Sequence, residues 1–287
     1  MYFLAFFLFI AACVQFADPQ VFNPIDYGAK GDGISNDTEA VRATLAAVAA
    51  NKGGEVLFDS QFAFLTGCFN ITSNVILNVK GTILASQDSS NYIQVRGALQ
   101  WQSLVQANSA SNITITGGGT IDGQGAPWWA CLHRGNDSLH LHGPPCNGLD
   151  RPNLIMLAQT NNINIHNITL KDSPILNTHL HGCTNVHMSH ITVLAPWDSP
   201  NTDGFDIDCS VNVLLEDSFY SGGDDAIAIG CGDSRATSSE NVLIRNMTVE
   251  RSHGLSIGSG TLGGVRNITF DHITGVYLLV FMTLIDY

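Results

Sequence analysis

The chain of 287 residues sets 12 Lys+Arg against 25 Asp+Glu, a formal net charge of −13. So few cations exclude nucleic acid and anionic membrane surfaces as partners, because both need a basic face. Any anionic ligand must be held by a few local cations, and the length is ample for one large hydrophobic core.

The first segment, MYFLAFFLFIAACVQFADPQ, is apolar and ends in small residues. It reads as a secretory signal peptide over residues 1–17, without the usual basic start, rather than as a buried helix. It is short for a membrane span of ~20 residues. Setting Cys13 aside, Cys68, Cys131, Cys146, Cys183, Cys209 and Cys231 remain, an even set that suits an oxidising compartment. Asn-x-Ser/Thr sequons at Asn36, Asn70, Asn112, Asn136, Asn167, Asn246 and Asn267 also favour export, and some of them are expected to carry glycans.

A helix is predicted next. Asn36 or Asp37 caps it, Val41, Leu45 and Val48 form its apolar stripe, and it runs to about Ala50 with Gly53-Gly54 as the stop. A strand begins at Glu55–Phe58. Beyond it no long helical period occurs.

From Asn112 onward the chain repeats. Asn112, Asn162, Asn185, Asn212, Asn241 and Asn267 each open a run of alternating apolar residues, and from Asn162 the steps are 23, 27, 29 and 26 residues. Period-two alternation predicts strands, and a recurrence of this length predicts a solenoid. The architecture expected is all-β: a single-stranded parallel β-helix with a short N-terminal capping helix. The recurring Asn would stack at the bends, where this residue tolerates unusual backbone angles. A β-sandwich is the alternative, but its turns would not recur on one residue type. Cys209 and Cys231, 22 residues apart, could bond between adjacent coils.

Asp203 and Asp224 are 21 residues apart, about one coil, and Asp225 follows the bend residues Gly222-Gly223. Neighbouring strands lie ~4.8 Å apart, so the three carboxylates should be neighbours, with Asp203 stacked on Asp224. Such a group cannot ionise fully, and one member should keep its proton well above the usual range. A held proton beside ionised carboxylates is what glycoside hydrolysis requires. His253 falls on the next coil and can hydrogen-bond a carboxylate. Three Asp oxygens would also suit Ca²⁺. His179 and His181, one coil before Asp203, are weaker candidates for the cleft; the other histidines read as surface or bend residues.

The stretches Asn201-Thr202-Asp203, Gly223-Asp224-Asp225, His253-Gly254 and Ser256-Ile257-Gly258-Ser259, in this order and spacing, resemble the polygalacturonase family of glycoside hydrolases (glycoside hydrolase family 28). So do the segment from Phe22 to Thr38, GGGTIDGQGAPWW and RPNLIML, particularly for the plant-type members. The resemblance covers residues 22–275. It implies a right-handed, pectin-lyase-like β-helix that cleaves the α-1,4 bonds of polygalacturonate in pectin with inversion, without metal or other cofactor. The protein is expected to be secreted, extracellular or in the cell wall, with a monomer as the default state. Carried over by position, the resemblance makes Asp224 the general acid and gives the attacking water to Asp203 and Asp225. His253 supports the acid, and Asn201 and Gly254 contact substrate.

One departure matters. The family's Arg-Ile-Lys motif, which grips the substrate carboxylate, should come after Gly275, yet residues 276–287 form an apolar tail and no Arg or Lys occurs beyond Arg266. The expectation is a truncated or alternatively spliced product, or a gene model reading into an intron, with impaired activity. A smaller departure is Ala226, where many members carry Cys. Two rivals use the same fold: a polysaccharide lyase, which needs Ca²⁺ and a base not evident near the Asp group, and a non-catalytic pectin-binding decoy.

Overall fold

The computed structural model describes residues 19–132, 143–233, 238–258, 260–278 and 283–284. The signal-peptide expectation, the sequon Asn136, the histidines His133, His140 and His142 and most of the apolar tail lie outside them.

The chain winds as a right-handed parallel β-helix. One sheet of 14 strands forms two walls of the coil, and a second of 8 strands closes the third. The repeat is set by what each coil position demands. Inward positions of the third wall stack as Val105, Ile155, Thr178, Phe205, Ile227 and Leu255, and two residues on as Ala107, Leu157, Leu180, Ile207, Ile229 and Ile257. Opposite them run Ile113, Ile163, Val186, Val213, Val242 and Ile268. Branched side chains fit this pleated, half-enclosed surface, and their stacking makes one continuous core.

The predicted Asn ladder is present. Asn112, Asn162, Asn185, Asn212, Asn241 and Asn267 all have φ between 52° and 58°. Each donates its side-chain amide to the Asn one coil earlier, starting from Asn74, at 2.7–3.5 Å. Asn is among the few residues that enter the left-handed region cheaply, and here its side chain also satisfies its neighbour. A second bend column holds Asn167, His190, Asp217, Asn246 and His272, again at positive φ, which accounts for two of the histidines read as bend residues.

The capping helix spans Thr38–Ala50 and buries Val41, Leu45 and Val48 over the first coil. Asn36 Oδ1 takes the Thr38 amide at 3.0 Å, whereas Asp37 turns back to accept from Lys30 and Gly31. The Cys209–Cys231 disulfide forms across adjacent coils, as its spacing suggested, and a second joins Cys131 to Cys146. The even cysteine count does not mean full pairing: Cys68 and Cys183 are buried free thiols. Burial pushes the Cys183 thiol up to about 11, which makes it inert.

Candidate active site

The outward face of the third wall forms the floor of the cleft. Its side chains stand in register as Gln106, Met156, His179, Asp206, Ala228 and Ser256, one per coil. The three carboxylates sit where this wall begins, at the bends that lead into its strands.

One oxygen from each of Asp203, Asp224 and Asp225 lies within 4.8 Å of the others. The expected stack of Asp203 on Asp224 is corrected by one residue. Phe205 pairs with Ile227 and the Gly204 amide bonds to Asp225 O, so the coil step is 22 residues and Asp203 lies level with Asp225. Asp224 joins the cluster because Gly222-Gly223 folds the bend tightly. A Cβ on Gly223 would collide with Ser199 O, and one on Gly222 with the Tyr220 hydroxyl.

A buried frame holds the bend. Tyr220, fully enclosed, donates to Thr202 O at 3.0 Å or Asp224 O at 3.1 Å and accepts from the Asp224 amide at 3.3 Å. The Ser252 hydroxyl links Asp224 O with the amides of Ala226 and Gly254. Asn177 bonds Asp203 O through both its backbone and its side chain. Beneath Asn201 lies Arg151, only 2% exposed, which donates to Pro174 O, Pro200 O and Asn201 Oδ1. Its burial works against its charge, while Asp150 and then Asp203 act to preserve it. Tyr220, Ser252 and Arg151 were not singled out from sequence.

The cluster resists ionisation. Burial pushes the Asp203 carboxyl up to about 8, with repulsion from Asp224 and Asp225 adding to it. Burial also raises Asp225, against a hydrogen bond from Ser256 Oγ and with repulsion from Asp224. Asp206 is half-buried as a residue, but its Oδ2 is enclosed and unpartnered, and its carboxyl is pushed well above the ordinary range. The enclosure of that oxygen, rather than the residue's average exposure, governs its titration. Carboxylates this close titrate as one coupled set, so a proton stays in the cluster near neutral pH.

His253 Nδ1 meets Asp224 Oδ1 at 3.0 Å, and the Asp225 amide donates to the same oxygen at 3.0 Å. Asp224 is the more open acid, its side chain 20% exposed against 9% for Asp203 as a residue. Asn201 is exposed and Arg151 holds its Oδ1; its Nδ2 makes no bond among the described residues. Gly254 is buried at φ 150°, and its N–H and C=O are spent on Ser252 and Ala226, so it shapes the bend.

His179 and His181 do face the cleft. His179 Nε2 meets Asp208 Oδ2 at 2.9 Å, and one ligand atom from each of His179, His181 and Asp208 lies within 4.8 Å of the others. Two imidazoles and a carboxylate suit a zinc-like ion. The Asp cluster fits Ca²⁺ poorly, offering three ligands where six to eight oxygens are usual.

Residues 44–276 match the model of glycosyl hydrolases family 28. A polygalacturonase of Malus domestica is 32% identical over 257 residues, covering 88% of this chain and 51% of its own. A probable polygalacturonase of Vitis vinifera is 30% identical over 275 residues, covering 88% and 54%. The chain thus spans about half the length of the curated relatives it matches. Among solved structures, an exopolygalacturonase of Thermotoga maritima superposes with a TM-score of 0.82 at 25% identity, covering 93% of this chain and 70% of that one. A polygalacturonase of Erwinia carotovora shares the fold, with a TM-score of 0.74 at 22% identity, covering 94% and 74%.

Proposed function

Because the chain belongs to family 28 of the glycosyl hydrolases, we propose that it hydrolyses the α-1,4-galacturonosidic bonds of pectin at the cluster of Asp203, Asp224 and Asp225. The observation that carries this reading is the cluster itself: three carboxylates within 4.8 Å, one proton held among them, in a polar cleft.

Asp224 gives its proton to the leaving glycosidic oxygen. It is more open than Asp203, and His253 fixes its orientation at 3.0 Å. Asp203 and Asp225, level on adjacent coils, hold and activate the attacking water, and Ser256 fixes Asp225. Asn201, braced by Arg151, presents its amide to the sugar. As the C–O bond breaks, the water loses its proton to the paired carboxylates and the proton of Asp224 leaves with the product. The cluster's protonation is thereby restored for the next cycle, and no cofactor takes part.

The reaction proposed is an inverting one. The spacing favours a second reading, because inverting enzymes usually place their carboxyl groups ~6.5–9.5 Å apart to admit water and retaining ones ~5–5.5 Å. Here two neighbouring carboxylates share the water, so it need not fit between acid and base. Proton NMR of the first sugar released from polygalacturonate separates the two: a β-anomer supports inversion, an α-anomer overturns it. Reducing-end release at mildly acidic pH, with Asp224→Asn beside it, tests hydrolysis. Products absorbing in the ultraviolet would instead mean elimination, and binding without products would mean a decoy. We place the protein's work outside the cell, in the cell wall and as a monomer; its recovery from the medium of a secreting host tests the first point.

A further inference from the structure

Near His253 lies a cavity of ≈ 250 Å³ lined by Trp197, Arg251 and Tyr277. Trp197 stands in the link between the strands Thr184–Leu194 and Phe205–Asp208, and its ring meets that of His253 edge-on, 6.0 Å between centroids. Arg251 and Tyr277 are partners in register on adjacent strands. The Gly222 amide donates to Arg251 O at 3.0 Å, which ties this wall to the bend that carries Asp224.

The cavity is unusual in its chemistry. Trp197 is 39% and Tyr277 64% exposed. The Arg251 side chain makes no hydrogen bond or ion pair among the described residues, whereas Arg245, Lys171 and Arg42 are all paired with acids. Arg151, the other guanidinium of this region, is buried and committed to the frame. An unpaired guanidinium in a chain of net charge −13, lining one cavity with two open aromatic rings, matches one ligand class well. A sugar ring offers an apolar face to an aromatic side chain, and a carboxylate takes a guanidinium through paired hydrogen bonds.

We propose that Trp197, Arg251 and Tyr277 form a uronate grip: Arg251 binds the carboxylate of the sugar next to the scissile bond, and the two rings hold its ring. This rests on the glycosidase reading and deepens it, because it names the residues that select a charged sugar over a neutral or esterified one. Arg251 is here a specificity residue, not a catalytic one.

The probes are trigalacturonate and its methyl ester. Calorimetric binding is measured in an Asp224→Asn background, and turnover in the otherwise unaltered chain. Arg251→Gln should weaken trigalacturonate by about tenfold or more, the worth of a charge-assisted hydrogen bond, and leave the ester nearly unaffected. In turnover the loss should appear in KM and not in kcat. Arg251→Lys should recover part of it. Trp197→Ala should weaken both probes alike, since a ring does not read charge. Arg266→Gln, a control cation elsewhere on the coil, should change neither. Equal binding of trigalacturonate by Arg251→Gln and its parent would overturn the grip, as would equal weakening of both probes. Arg251-dependent binding by a chain that releases no reducing ends would overturn the hydrolase reading and leave the grip standing. Reducing-end release by Arg251→Gln with KM as well as kcat unchanged would do the reverse.

Discussion

The Asn ladder and the Asp cluster are the same construction with opposite chemistry. In both, a parallel coil stacks polar side chains at a bend, one coil spacing apart. In the ladder each amide is donor and acceptor at once, so every added coil satisfies the one before it. In the cluster each group is an acceptor when ionised, and stacking brings repulsion and trapped protons. The ladder stabilises the coil. The cluster strains it, and that strain is useful only if a reaction needs the proton.

Four substitutions or measurements would break or sharpen this contrast. The largest effect belongs to Asp224→Asn, which should lower reducing-end release by about 10²–10⁴-fold, the usual worth of a positioned acid, while the melting temperature holds or rises. A fall in both would mean that the cluster supports the fold. Next, Asn212→Ala removes one donated and one accepted ladder bond and leaves a residue with a Cβ at φ 57°. It should cost about 1–3 kcal/mol in denaturant unfolding, with activity intact.

Third comes pH. Asp203 titrates at about 8 in the folded chain against an ordinary 3.8. A carboxyl raised in the folded state favours folding most below its unfolded pKa, and that advantage is lost as pH climbs from about 4 toward 8. Stability should therefore fall across this window, and Asp203→Asn should flatten the fall. An unchanged slope in the variant would assign it to other groups, such as Asp206. The smallest effect concerns glycans. Asn112 and Asn267 are sequons whose side-chain nitrogens already donate within the ladder. Glycopeptide mapping from a secreting host should find these two unoccupied.

The coil was legible in the sequence because its bends demand one residue type, and Asn recurs at the spacing of the coil. The acid cluster was legible for a related reason: carboxylates about one coil apart must meet. The register was not, because a step of 21 or 22 residues depends on how tightly Gly222-Gly223 turns, and that is fixed by Ser199 and Tyr220. Arg151 escaped because its partner Asn201 lies 50 residues away, two coils on, with no local pattern to link them. Tyr220 looked like one more strand residue; only the fold shows its hydroxyl bonded inside the bend. The Cys209–Cys231 bridge was foreseeable from coil spacing, whereas Cys131–Cys146 closes a loop outside the repeat and left no such trace.

The column Gln106, Met156, His179, Asp206, Ala228, Ser256 has a consequence for how such a protein can change over generations. Each rung points outward from its own coil, and its inward neighbours belong to a separate column that carries the packing. Away from Asp206, whose Oδ2 is enclosed, and Ser256, which holds Asp225, a change at one rung therefore alters one position of the cleft floor and leaves the interior alone. Inheritance can revise this surface one character at a time, as a line of text is edited, and the page it is written on stays whole.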